Sequence, residues 1–276
     1  MKNVASVIIL LIIIPLFSSG QSTVEKIEES EFSIGKTIKV RSDILQELRV
    51  LNIYLPANYS VDSTKNYPVI YLLDGSKDED FLHISGIVQF GSFPWINILP
   101  ESIVVGIENV DRKRDFTYPS QNALDQKEFP TAGRSAEFIA FLGQELQPFI
   151  EANFRTTDVK TIIGQSLGGL LATEILMKSP DLFDHYLIVS PSLWWDDGSL
   201  LNDQSELYNS AKSVYIAVGK EGDVMEQSAR KLHKKLLTSE QKQTKLYFSF
   251  LEDKTHGDVL HQAVYEAFEL IFKSDK

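Results

Sequence analysis

Thr161-Ile162-Ile163-Gly164-Gln165-Ser166-Leu167-Gly168-Gly169-Leu170-Leu171-Ala172-Thr173-Glu174-Ile175-Leu176 decides the fold. Three β-compatible residues lead into Gly-x-Ser-x-Gly, and a helix-compatible run follows. A serine at the apex of so sharp a strand-to-helix turn has its Oγ thrust outward on a strained backbone. Glycines two positions to either side, Gly164 and Gly168, are expected to let strand and helix approach. The turn also sets the Leu167 N–H at a helix N-terminus, where it can stabilise developing negative charge.

The same short apolar rhythm recurs on either side of this stretch, at 69–73, 103–107, 186–189, 214–218 and 246–251. Each run predicts a strand buried on both faces. Helical periodicity lies between them: one from Gly133 toward Asn153, with Phe138, Phe141, Leu142, Leu146, Phe149 and Ile150 on one stripe, and others at 167–178, 224–237 and 258–272. Buried strands alternating with amphipathic helices predict an α/β fold around a mostly parallel, doubly wound sheet. Residues 36–40 and 47–55 partly alternate apolar with polar and stop at Pro56-Ala57-Asn58, which predicts an antiparallel N-terminal strand pair. With no repeat, low-complexity tract or linker, 21–276 reads as one domain.

Residues 7–17 are almost uninterruptedly apolar, broken by Pro15, preceded by Lys2 and followed by Ser18-Ser19-Gly20. The run is shorter than the ~20 residues of a membrane span. It reads as a secretory signal peptide, 1–20, cleaved near Gly20/Gln21. The mature protein is then expected to be secreted or periplasmic, with no stable membrane anchor. The chain has 38 acidic and 27 basic residues, a net charge of −11, which argues against nucleic acid as a partner. The absence of cysteine excludes disulfides, a thiolate nucleophile and cysteine-based metal sites.

A serine hydroxyl needs a base, and in a fold of this type the order along the chain is serine, acid, histidine. Of the five histidines, His83 precedes Ser166, His185 leads into a strand, and His233 lies in a charged helical stretch. His261 falls one turn into the last helix. His256, in the loop 252–257 just after an apolar strand, is the expected base. After the strand 214–218 come Gly219-Lys220-Glu221-Gly222-Asp223. Glu221 is favoured as the acid, with Asp223 as its substitute and as the better helix N-cap. A second oxyanion amide is expected from Ser76, after Asp74-Gly75. Arg112 and Arg114 either bind an anionic substrate group or pair with Asp111 and Asp115. Trp194 and Trp195 either form an aromatic wall to the cleft or pack in the core, with one of the two expected to be structural. No metal site is expected.

Four segments together carry a resemblance: Tyr67-Pro68-Val69-Ile70-Tyr71-Leu72-Leu73-Asp74-Gly75; Val104-Val105-Gly106-Ile107 with Asp111-Arg112-Lys113-Arg114-Asp115; Gly164-Gln165-Ser166-Leu167-Gly168-Gly169; and Ser190-Pro191-Ser192-Leu193-Trp194-Trp195-Asp196. Over 66–272 the chain resembles the esterase family of the α/β-hydrolase superfamily, closest to its siderophore-esterase-like and esterase D-like members. The resemblance implies an α/β-hydrolase fold and serine carboxylic-ester hydrolysis of a small-molecule substrate without metal or organic cofactor. It also supports the Ser76 amide, and it sets the arginine-rich loop and the Ser-Pro-Ser-x-Trp segment at the acyl pocket. A siderophore lactone is the expected substrate. The alternatives are small acyl, feruloyl or acetylated-carbohydrate esters, transfer to an alcohol acceptor, or an inactive hydrolase fold used for binding.

Overall fold

Ser166 sits at the carboxyl end of a central strand in an eight-stranded sheet. The computed structural model describes residues 24–206, 208, 210–239 and 243–273. The expected signal peptide, 1–20, lies outside the described residues. Two units are distinguished. Of Met1–Ser33, the described part, 24–33, is exposed and has no regular secondary structure; Ile34–Lys276 contains the whole sheet.

The sheet runs β1 (Lys36–Ser42), β2 (Glu47–Tyr54), β4 (Ile103–Ile107), β3 (Tyr67–Leu72), β5 (Thr156–Gln165), β6 (His185–Val189), β7 (Lys212–Gly219) and β8 (Thr244–Leu251). β1 and β2 pair antiparallel, β2 meets β4 antiparallel, and every other pairing is parallel. This is the α/β-hydrolase arrangement, with the antiparallel pair at the N-terminal edge.

Period-two alternation explains both covered faces. Val69, Tyr71 and Leu73 in and after β3, with Val214, Ile216 and Val218 in β7, pack in one core. That core is closed by α4 (Ser135–Phe141), α5 (Gln147–Asn153), α6 (Leu167–Lys178) and α7 (Asp223–Leu237). Ile70, Leu72, Tyr215 and Ala217 point the other way, beneath α1 (Phe81–Gly91) and α8 (Val259–Phe272). All eight residues of β7 are buried. Each large apolar side chain so enclosed contributes about 1.5–3 kcal/mol.

Three of the longer elements differ from the sequence expectation. The helix from Gly133 to Asn153 is interrupted by a π turn, Leu142–Leu146, between α4 and α5. Pro148 has no N–H to give and its ring crowds the carbonyl of Gln144, so the ladder must widen there. α1 was not expected: its first turn follows Asp80, whose side chain makes no capping bond, and Gly86 weakens its propensity. The spacing Phe81, Ile84, Ile87, Val88 was its signal. β8, expected to be buried on both faces, lies at one edge of the sheet, and most of its residues are only partly buried.

From β3 the chain crosses to β4 on one side, and from β5 it runs β6, β7, β8 to the other. The strand order reverses between β3 and β5, which opens a crevice beyond their carboxyl ends, the usual ligand position in such sheets. The loops after β3 and β5 meet there.

Candidate active site

Ser166 immediately precedes α6 with φ 59° and ψ −119°, a conformation that costs a non-glycine residue of order 1–3 kcal/mol. The surroundings hold it there. Its N–H donates to Val189 O (3.0 Å), and its carbonyl accepts from Leu170 N (2.9 Å) and Ser192 N (3.0 Å). A Cβ on Gly164 would lie 2.3 Å from Gly168 O, and one on Gly169 would lie 2.9 Å from Val189 O. A Cβ on Gly168 would meet only ordinary contacts, at 3.4 Å. The close approach of strand and helix therefore requires Gly164 and Gly169, and the second glycine of the motif contributes its backbone more than its missing side chain.

Past β3, Asp74 also adopts positive φ (55°). Gly75 follows with its N–H bonded to Ile107 O (3.0 Å). A Cβ on Gly75 would sit 2.3 Å from Gly106 Cα, so glycine is required by the neighbouring strand rather than by the turn's φ. Leu167 opens α6, where an amide has no intrahelical acceptor. The Leu167 and Ser76 amides thus belong to the two loops that border the crevice.

After β7, the Glu221 side chain is 2% exposed and accepts three hydrogen bonds or ion-pair contacts: from Ser190 Oγ (2.5 Å), from Gly219 N (2.9 Å) and from His256 Nδ1 (2.5 Å). Burial pushes this carboxyl up, but the contacts from His256, Ser190 and Gly219 together outweigh it and hold the group below its ordinary range. Asp223, the substitute acid, is the exposed first residue of α7. His256 is half exposed, and its carbonyl accepts from Gln165 Nε2 (2.5 Å), which ties the histidine loop to the residue before the serine. Ser166 Oγ is hydrogen-bonded to Ser192 Oγ (3.2 Å). Ser190, Ser192 and Gln165 were not foreseen as site residues. Ser190 and Ser192 stood in the Ser-Pro-Ser segment, but a hydroxyl beneath a carboxylate has no spacing signature.

Of the two alternatives expected for each, Arg112 and Arg114 take carboxylate pairing, though with other partners than Asp111, and Trp195 takes core packing. Arg112 forks onto Asp74 (Nε–Oδ1 2.6 Å, Nη2–Oδ2 2.8 Å) and donates to Gln165 O (3.2 Å), clamping the β3 loop to the serine turn. Arg114 bonds Asp115 Oδ1 (2.8 Å) and both oxygens of Glu47 (2.5 and 3.1 Å). Those carboxylates also surround Arg49, which is fully buried and bonded to Asp115 Oδ2 at 2.7 Å. Arg114 therefore serves a buried charge network. Trp195 is 1% exposed, with Nε1 donating to Tyr118 O (2.9 Å). Trp194, 37% exposed, lines a cleft of about 440 Å³ between its own loop and α7.

Another cavity, about 260 Å³, borders the end of the histidine loop and is lined by Asp80, His83, Gln165, Gly257, Asp258 and His261 among others. Burial, then Asp74 and Glu79, push the Asp80 carboxyl up to about 6. A carboxyl so raised favours folding fully below its unfolded value of 3.8, and the benefit is lost as pH rises through about 6. At 1.36 kcal/mol per unit the ceiling is about 3 kcal/mol, which partial solvent contact reduces to about 1–2. Asp80→Asn is expected to be about 1–2 kcal/mol more stable than the parent near neutral pH and equal to it near pH 4, read from urea midpoints.

An α/β-hydrolase sheet with a serine on the turn after β5 and a carboxylate–histidine pair beyond β7 and β8 defines a hydrolase class. The chain belongs to the esterase family described as "Putative esterase", which matches residues 42–267. Ferri-bacillibactin esterase BesA of Bacillus subtilis is 27% identical over 251 residues, 83% of this chain and 87% of its own length. The siderophore enterobactin esterase of Emericella nidulans is 35% identical over a shorter stretch, 36% of each chain. Among solved structures, an IroE-like serine hydrolase from Shewanella oneidensis superposes with TM-score 0.78 at 28% identity, covering 87% of this chain and 80% of its own. The BES protein from Bacillus cereus gives 0.76 at 28%, covering 92% and 100%. The protein is an esterase of this family, and siderophore esterases are among the proteins it is similar to.

Proposed function

We propose that this esterase works through an acyl-enzyme on Ser166, with His256 as general base and acid and Glu221 as its partner. The observation that carries the reading is the short contact between His256 Nδ1 and buried Glu221, in the loop that Gln165 ties to the serine turn. With Nδ1–H donated to Glu221, Nε2 is the basic nitrogen. Once substrate displaces Ser192 from Oγ, His256 takes the proton as Oγ attacks the ester carbonyl. The Leu167 and Ser76 amides hold the oxyanion, and the returned proton leaves with the alcohol. Water, deprotonated by the same histidine, then releases the acid.

For substrate, we propose a siderophore lactone, a reading supported by the siderophores that the relatives' names carry, bacillibactin, enterobactin and triacetylfusarinine C among them. The pairing of Arg112 with Asp74 and of Arg114 with Glu47 and Asp115 favours a second reading, an uncharged acyl or aryl ester. Export to the periplasm or medium is proposed from the apolar run 7–17 and the small residues after it. Rapid mixing with p-nitrophenyl acetate tests the mechanism: a burst of about one p-nitrophenol per protein is expected. Linear release with no burst, and no acylated Ser166 on acid quench, would count against it.

A further inference from the structure

The 440 Å³ cleft is lined by Leu193, next in the chain to the Ser192 that bonds Ser166, and by Asp223, two residues past Glu221, and it has an unusual wall. Asp196, Asp197 and Gly198 all adopt left-handed backbone (φ 50°, 52° and 76°), in a run where only the glycine does so at low cost. A dedicated clamp holds this turn. Asp196 Oδ1 accepts from Gln121 N (2.6 Å), Ser120 Oγ (3.0 Å) and Asn122 N (3.3 Å). Asp197 Oδ1 accepts from Asn122 Nδ2 (2.8 Å), and Asp125 Oδ2 accepts from Asp196 N (2.9 Å). The result is that Trp195 is locked into the core while its neighbour Trp194 stands half open to the cleft.

Trp194 shares the cleft with the start and middle of α7, including Asp223, exposed Val224 and Lys231. The ionised groups lining the cleft are thus two carboxylates, Asp197 and Asp223, against one ammonium, Lys231. Arg112 and Arg114 are engaged by carboxylates and offer no free guanidinium. An open indole face beside carboxylates attracts a cation or an uncharged ring and repels an anion, more strongly where walls exclude water.

We propose that this cleft binds one arm of the ester substrate and selects it by charge, accepting an uncharged or cationic group stacked on Trp194 and rejecting a polyanion. The proposal rests on the serine-esterase reading and adds the substrate class. For iron-chelating esters it favours a neutral ferric trihydroxamate over a multiply anionic ferric tris-catecholate.

The test uses three p-nitrophenyl esters of equal acyl length whose acyl ends carry a methyl, a trimethylammonium or a carboxylate group. In the whole protein, kcat/KM for the cationic and neutral esters should exceed that for the anionic one by about tenfold or more at low salt, narrowing as salt rises. Asp223→Asn should narrow the gap, and Asp223→Lys should narrow it further. Independently of turnover, benzyltrimethylammonium should quench tryptophan fluorescence saturably, Trp194→Phe should abolish the quenching, and benzenesulfonate should bind at least tenfold more weakly. An anionic ester cleaved as well as the neutral one, or a gap that Asp223→Lys leaves unchanged, would overturn the charge selection while leaving the esterase mechanism standing. Cation-selective quenching in a protein that cleaves none of the three esters would overturn the mechanism while supporting the charge preference of the cleft.

Discussion

Ser166→Ala is expected to lower kcat toward p-nitrophenyl acetate by about 10⁴–10⁶-fold while leaving the urea midpoint of the protein unchanged or slightly raised. The size of the loss follows from chemistry. No cysteine is available to substitute, and Ser192, the nearest hydroxyl at 3.2 Å, is 2% exposed and does not stand on the strained turn after β5. The direction of the stability change follows from backbone physics. Alanine at φ 59° bears the same strain as serine, and the one side-chain bond it forfeits, to Ser192, is a long hydroxyl contact. Steady-state kinetics beside a urea titration separates the two effects. Activity surviving within tenfold would remove Ser166 from the mechanism.

Glu221→Gln is expected to lower kcat by about 10³–10⁴-fold with a much smaller change in KM. The amide fits the same space, but its NH₂ can face His256 Nδ1 and impose the tautomer in which Nε2 carries the proton and cannot accept the serine's. Charge matters as well. The imidazolium formed during attack loses the one carboxylate in contact with it, at 2.5 Å. A loss that follows Asp223→Asn instead would transfer the role to Asp223. A consequence in pH carries a fixed sign. Because contacts from His256, Ser190 and Gly219 depress the folded pKa of Glu221, its stabilising contribution is complete above the ordinary carboxylate value of 4.5 and is lost as pH falls through the lower folded value. Acid should therefore destabilise the parent protein more steeply than Glu221→Gln.

What could be read from residues alone divides along physical lines. The strands of the central sheet announce themselves because burial on both faces demands apolar side chains at every position, as in Tyr186-Leu187-Ile188-Val189. The serine turn is legible because a steric demand, the contact between Gly164 and Gly168, writes itself as glycine. Glu221 and His256 are legible as positions, each just past an apolar strand at one edge of the sheet. Side-chain direction is not. Arg112 and Arg114 lie on one short helix, α2 (Arg112–Phe116), yet one turns to Asp74 and the other to Glu47, partners 38 and 67 residues away in the chain. The difference between Trp194 and Trp195 hides for the same reason, since it depends on a left-handed turn clamped by residues 120–125. Asp196 and Asp197 are not residues whose type announces positive φ as glycine's does. The buried Arg49 was missed as well: an arginine in an alternating strand reads as solvent-facing, and only its contacts with Asp115, Glu47 and the rings of Phe138 and Phe141 reveal otherwise.

A fluorophosphonate, which labels an activated serine covalently, puts Ser166 as the nucleophile to the test. Intact mass and peptide mapping should show one adduct per chain, on Ser166, forming with loss of esterase activity, absent in Ser166→Ala and greatly slowed in His256→Ala. An active, folded protein that takes no label, or carries it on another residue while Ser166→Ala still hydrolyses esters, would contradict the account.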